Sequence, residues 1–323
     1  MAHEITIRSN SFAETAFVGD TPWHGLGQHI HEDSTIEEWA AQAGMNWSVN
    51  SGKVYYETDV DGPMVDFVGQ NVLYRSDTGM PLSVVSDRYK PVQPIECLEF
   101  FRNLIVDNGF KIQVAGTLKG GKRLWAIADT GRYAEVTKGD GVGGFLLLST
   151  SCDRTLSTTA RFTSVRVVCN NTLQMAMEDN SHCVKFTHMQ HFNVGAAQDK
   201  LMKGVESFGS FMQMAQYMQQ QQMDSNAANR FLVNLVSTFT QVDGEGYDIT
   251  QNRTYAKILR LFDGEAKGSN LVGHTRWGML NAVTEYYDHL KPAQNTDARL
   301  DSAWFGAGNK IKDKATHLLL HSM

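Results

Sequence analysis

The period of the hydrophobic pattern changes once along this 323-residue chain, and that change constrains the fold more than any single motif. Through the first half, Val, Tyr, Phe and Leu alternate with polar residues in short runs: Trp47–Thr58, Met64–Arg75, Pro81–Asp87, Phe110–Leu118, Lys122–Asp129, Gly143–Ser151 and Ser157–Cys169. Asp-Gly, Thr-Gly and Gly-Gly dipeptides separate several of them, so these runs predict antiparallel strands joined by tight turns. In the last third the spacing becomes three and four residues. Leu201, Val205, Phe208, Met212, Ala215 and Met218 share one face of a helix predicted over Gln198–Gln222. Further helices are predicted at Asn226–Thr240, Arg253–Phe262, Thr275–Leu290 and Asn309–Leu320. Strands first and helices afterwards predict an α+β fold: an antiparallel β-rich N-terminal and central part with packed helices, then a helical C-terminal part. The division this implies is a mixed domain over 1–195 and a helical domain over 196–323, or one continuous domain.

Helices also interrupt the strands. Asp33-Ser34-Thr35 offers an N-cap ahead of Ile36, with Glu37 and Glu38 in the first turn and Gly44 at the stop. Pro94 opens a second helix, Ile95–Asn108, which places Ile95, Leu98, Phe101, Leu104 and Ile105 on one face. A short helix is expected to begin near Asn171. The longest apolar runs, such as Gly143–Leu148, are strand-sized, so no membrane span is expected. The polar start, Met1–Asn10, lacks the basic-then-apolar layout of a secretory signal, and the expected location is the cytoplasm. Cys97, Cys152, Cys169 and Cys183 form no Cys-x-x-Cys pair and are expected as reduced thiols.

Four segments carry residues of candidate chemistry. Trp23-His24-Gly25-Leu26-Gly27 has closely spaced glycines but no strand before it and no helix directly after, so it predicts a structural loop and not a phosphate cradle. His182, Cys183, His188 and His191 lie within ten residues, yet adjacent His182 and Cys183 cannot readily face one ion, and no metal is expected. No Gly-x-Ser-x-Gly elbow occurs, the cysteines lack an identifiable paired base, and no cofactor is implied. Gly306, Gly308 and Lys310 combine a glycine-rich turn, a predicted helix start and a cation, which is the outline of a phosphate loop; tight packing explains the glycines equally well.

Charge gives the most direct functional signal. The net charge is −6, but residues 1–110 carry six Lys/Arg against sixteen Asp/Glu, whereas residues 111–185 carry ten against six. Lys119, Lys122, Arg123, Arg154, Arg161 and Arg166 all fall in the basic section, most of them at hairpin turns, with Trp125, Phe145 and Phe162 interleaved. A single strand of nucleic acid is held by cations that track its phosphates and by aromatic faces that accept its bases. Arg161 and Arg166 differ in strand parity, so one regular strand cannot aim both at one groove. The alternative is an ordinary solvated face.

Several long strings carry a family resemblance. Trp23–Gly27, then Val165-Arg166-Val167-Val168-Cys169-Asn170-Asn171-Thr172-Leu173, then Thr275-Arg276-Trp277-Gly278-Met279-Leu280-Asn281 through His289, and finally Phe305-Gly306 with Lys310 and Lys314-Ala315, together resemble the phage/plasmid-like family of domain of unknown function 932. At the hairpin tip the family often has Ser-His-Asp-Gly, where this chain has Ser151-Cys152-Asp153-Arg154. The resemblance implies a mobile-element protein and supplies no activity. The order of helix, two hairpins and helix is also similar, at the level of fold, to phage single-strand annealing proteins. The expectation drawn from charge and resemblance together is a non-enzymatic, homo-oligomeric protein binding single-stranded DNA, in strand annealing or recombination, within the host cytoplasm. Two other classes remain open: an enzyme acting on nucleotides or nucleic acid, using the His182–His191 cluster or the Gly306–Lys310 loop, and a host-interaction factor that counters defence through the acidic N-terminal section.

Overall fold

Alternating runs pair into two sheets in the computed structural model, which describes residues 5–19, 25–59, 61–166, 171–173, 183–186, 202, 205–237, 248–294, 299, 302–303 and 306–321. In chain order the strands are β1 (Thr15–Phe17), β2 (Gln28–His29), β3 (Val49–Glu57), β4 (Met64–Arg75), β5 (Pro81–Ser86), β6 (Lys111–Leu118), β7 (Arg123–Glu135), β8 (Gly141–Ser151), β9 (Thr158–Arg166), β10 (Asn171–Leu173) and β11 (Cys183–Phe186). The helices are α1 (Ile36–Gln42), α2 (Pro94–Asn108), α3 (Phe208–Gln220), α4 (Ser225–Ser237), α5 (Arg253–Arg260), α6 (Ser269–Val272), α7 (Arg276–Glu285) and α8 (Ala307–His321). Strands β10-β9-β8-β7-β6-β1-β2 lie side by side, with β11 also on β9. Among the described residues, only β1 and β2 pair in parallel. Strands β3-β4-β5 make a separate antiparallel meander. The fold is therefore α+β, β-rich first and helical afterwards, as the change of period predicts.

Local chemistry accounts for the element ends. Thr35 caps α1: its hydroxyl accepts the Glu38 N–H at 3.2 Å, and the Glu38 carboxylate accepts the Thr35 N–H at 2.8 Å. Such a box contributes about 1 kcal/mol to a helix. Past the end of α1, Gly44 has φ +66 and lies so close to Glu14 that a Cβ there would stand 2.7 Å from the Glu14 Cβ. Where a short helix is expected to begin near Asn171, Asn171, Thr172 and Leu173 form a strand opposite Arg166, Val165 and Ser164, and residues 174–182 lie outside the described residues. The edge of β9 offers a row of backbone partners, and that non-local ladder prevails over the local pattern. Two predicted helices end earlier as α-helices and continue as single π-turns, Leu261–Glu265 after α5 and Tyr286–Leu290 after α7. Of the predicted helix Gln198–Gln222, α3 is the continuous described part; 198–201 and 203–204 lie outside the described residues.

One hydrophobic cluster runs from Ala16 to Leu319, with members on both sides of position 195. Phe162 of β9 meets Phe208 of α3 edge to face at 6.2 Å, and Phe211 of α3 meets Trp277 of α7 at 6.4 Å. The buried Trp277 indole N–H then donates to Asp140 Oδ2, at the β7–β8 turn, at 2.8 Å. A smaller cluster joins Ile5, Ala13, Leu118 and Trp125 where the N-terminal arm covers the sheet.

Charge is buried where the two sheets meet. Arg75 of β4 is 2% exposed and donates through both terminal nitrogens to Glu14, which is fully buried, at 2.9 and 2.7 Å. Its Nε and Nη2 also donate to Asp77 at 2.9 Å, and its guanidinium lies 4.3 Å from the Trp47 ring centroid. Arg8 Nε donates to Glu14 at 2.7 Å, and the Thr117 hydroxyl of β6 donates to the same carboxylate. Two guanidiniums balance two carboxylates, which is what makes such burial tolerable. Gly121 borders this group at φ +90; a Cβ there would stand 2.8 Å from Trp47 and 2.9 Å from Arg75 Nη1.

Candidate nucleic-acid interface

Antiparallel order puts the β6–β7 and β8–β9 turns at the same end of the large sheet, and hydrogen bonds tie them together. The Cys152 N–H donates to the Lys122 carbonyl at 2.7 Å, and Arg123 Nη2 donates to the Thr155 hydroxyl at 2.9 Å. Lys119 opens a single 3-10 turn, Lys119–Gly121, at φ 55, and Arg154 sits at φ 66. Left-handed backbone is uncommon for residues with a Cβ and costs roughly 1–2 kcal/mol each. Arg154 is exposed; Lys119 and Lys122 are half-buried.

The six predicted cations do not form one patch. Lys119, Lys122, Arg123 and Arg154 come together at the turns, but Arg123 is 4% exposed and lies in the interior between them. Arg161 stands midway along β9 opposite Leu147, half-buried, with its charge acting on Asp313 of α8. Burial pushes the Asp313 carboxyl up, and Arg161 and Lys312 pull against that rise. Arg166 is at the far end of β9, opposite Val142 and Asn171. Arg166 lies eight steps along the strand from Thr158, about 26 Å. Trp125 and Phe162 are 4% and 1% exposed and Phe145 is half-buried, so the first two do not serve as stacking platforms.

The structure adds residues that the sequence pattern passes over. The Tyr89 hydroxyl donates to the Ser151 carbonyl at 2.9 Å, and the Ser83 hydroxyl donates to the Cys152 carbonyl. These bonds dock the small sheet against the β8–β9 turn and bring exposed Arg88 and Lys90, which flank Tyr89, to the basic end. In sequence they sit within the acidic first 110 residues, where a count by segment conceals them; the available signal was the local string Arg88-Tyr89-Lys90. Asp153 lies in the same turn. Burial pushes its carboxyl up, but hydrogen bonds from Thr155 and Ser151 and the charge of Arg123 outweigh that and hold it below the usual aspartate range. Asp153 thus offsets the interior Arg123; the same segments also carry Lys119, Lys122, Arg154, Arg88 and Lys90, with the exposed Asp87 next to Arg88.

Gly308 lies at the start of α8, its N–H donating to the Ser302 hydroxyl at 3.1 Å, and a Cβ there would stand 3.0 Å from the Ser302 carbonyl oxygen. The close approach of the chain accounts for that glycine. Gly306 accepts from the Lys310 N–H at 3.3 Å, and Lys310 is exposed on the first turn. Trp23, His24, His182, His188 and His191 lie outside the described residues, and of Cys183 only the backbone is described. Among the described residues, no group of three His, Cys, Asp or Glu is placed to hold a metal ion. Burial pushes the Cys97 thiol well above its ordinary value and the Cys152 thiol up to about 12, so neither is a thiolate at neutral pH. Among the described residues, no helix is long and apolar enough to cross a membrane.

A family model described as Domain of unknown function (DUF932) matches residues 81–304. No curated protein and no solved structure matches the chain. The matched span contains both turns of the basic end and excludes the N-terminal arm, β3, β4 and α8.

Proposed function

The chain belongs to the family described as Domain of unknown function (DUF932), and from that premise we propose that it binds single-stranded DNA, without base specificity, across the paired turns of its large sheet. The observation that carries this reading is a pair of turns joined by the Cys152 N–H to Lys122 carbonyl bond, each of which holds a basic residue, Lys119 in one and Arg154 in the other, at left-handed φ. Lysine and arginine are poor choices for such backbone on structural grounds alone. Lys122, Arg88 and Lys90 enlarge the same face. Binding here is electrostatic, because the buried Trp125 and Phe162 cannot stack on bases. The same reading includes a mobile-element setting in the host cytoplasm, and a homo-oligomer in which repeated weak contacts along one strand would support annealing or recombination.

Fluorescence-anisotropy titrations of labelled oligonucleotides over a range of salt concentrations test it. For single strands, the slope of log K against log salt is about −0.7 per phosphate neutralised. Replacing Lys119, Lys122 and Arg154 together by Ala is expected to reduce that slope by about 2 and to weaken poly-T and mixed sequences alike. No binding by the wild type at low salt, or an unchanged slope in the triple variant, rejects the reading.

A further inference from the structure

A second basic feature lies among the helices and shares no residue with the turns. After α3 the chain turns back along the start of α7: Gln222 and Thr275 form an isolated antiparallel bridge. The Arg276 N–H donates to the Gln221 carbonyl at 2.9 Å, and the Met223 N–H donates to the His274 carbonyl at 2.9 Å. Beside this bridge, α4 presents Ala227, Arg230, Phe231 and Asn234, a stripe at three- and four-residue spacing. Leu318 of α8 closes the third side. Arg276 Nη1 donates to the Leu319 carbonyl at 2.7 Å, so the end of α8 fixes where that guanidinium stands.

These residues line an open cleft of about 350 Å³. Small-molecule sites span roughly 300–1,000 Å³ and combine an apolar lining with a few convergent polar groups. Here Phe231, Ala227 and Leu318 supply the apolar wall, the Gln222 and Asn234 amides supply neutral donors, and Arg230 and Arg276 supply two planar forks from different helices. Guanidinium forks match the oxygens of phosphate and carboxylate. Arg276 also belongs to the Thr275–His289 string that the DNA-binding reading leaves without a role.

We propose that this cleft binds a small organic dianion, a phosphomonoester or a dicarboxylate, whose charged end lies between Arg230 and Arg276 and whose body rests against Phe231 and Leu318. Isothermal titration of the full chain at low salt with dTMP and, separately, with succinate tests the assignment and separates the two sources. At least one of them binds with a Kd on the order of 1 mM or tighter. Arg230→Ala, an exposed position on α4, weakens that binding about tenfold or more, as expected for a lost charge-assisted hydrogen bond. The same variant keeps the wild-type melting temperature and the wild-type titration with single strands. Arg276→Lys, which retains the charge but not the fork, also weakens binding. Failure of both probes to bind at about 10 mM, or unchanged binding by Arg230→Ala, overturns the proposal.

Discussion

The two sheets solve burial differently. In β8 of the large sheet, Leu146, Leu147 and Leu148 are each 3% exposed or less, and the polar Ser149, Thr150 and Ser151 are buried just as deeply. Both faces are covered there, with α2 against β7 and β8, α3 against β7, and the N-terminal arm over Trp125. In the small sheet, Leu82 and Val85 are buried while Val84 is 44% exposed, and Tyr55, Tyr56, Phe67 and Val68 of the β3–β4 hairpin all reach solvent. Adjacent strand residues point to opposite faces, so exposure of both Tyr55 and Tyr56, and of both Phe67 and Val68, shows that this hairpin is solvated on both sides, whereas the large sheet is packed on both. Charged side chains follow the same division. Where the large sheet is covered, Arg123 is drawn inside; where the sheets meet, Arg75 survives burial only because two carboxylates meet it.

Substitutions can break this contrast. Arg75→Ala is expected to have the largest effect, a loss of about 3–5 kcal/mol in chemical denaturation, because Glu14 stays buried with its main partner gone. Replacing both Arg75 and Glu14 by Met should recover much of that loss; no recovery would mean that the Trp47 contact, and not charge balance, holds the site. Leu148→Ala in the large sheet should cost about 2–5 kcal/mol through the cavity it leaves. Acid titration should show a smaller effect at Asp77. Burial pushes its carboxyl up, but hydrogen bonds and charge from Arg75, with Arg8, outweigh burial and hold it below the usual range. A depressed folded value gives stability that is present above the unfolded aspartate value, about 3.9, and lost as pH falls through the folded one. Asp77→Asn should remove that part of the acid dependence, and an acid limb identical to wild type would contradict the assignment. Smallest of all, Val68→Thr on the solvated hairpin should change stability by no more than about 0.5 kcal/mol. A loss comparable to that of Leu148→Ala would show that the outer face of the small sheet is covered in solution.

Much of the fold was legible because it rests on local signals. The Thr35 cap, Pro94 at the head of α2 and the glycines between strands all mark boundaries that the structure keeps. What the sequence concealed depends on contacts between distant segments. β1 and β2 are three and two residues long, too short for any period to register. Asn171–Leu173 became a strand only because the edge of β9 was there to receive it. At the candidate interface, the sequence could place Lys119, Lys122 and Arg154 at turns, but not show that Thr155 of the neighbouring turn would capture Arg123. Nor could it show that Tyr89 would bring Arg88 and Lys90 alongside.

The carboxylate of Glu14 also governs how the molecule opens. A three-residue strand near the start of a chain would ordinarily fray long before the core does. Here the arm cannot leave without taking Glu14 from Arg75, which keeps only Asp77, and the small sheet cannot leave without taking Arg75 from Glu14, which keeps Arg8. Thr117 binds the same carboxylate to the large sheet. Amide protons of β1, the end of β4 and β6 should therefore exchange with solvent as one cooperative unit, at a free energy well above that of an ordinary terminus.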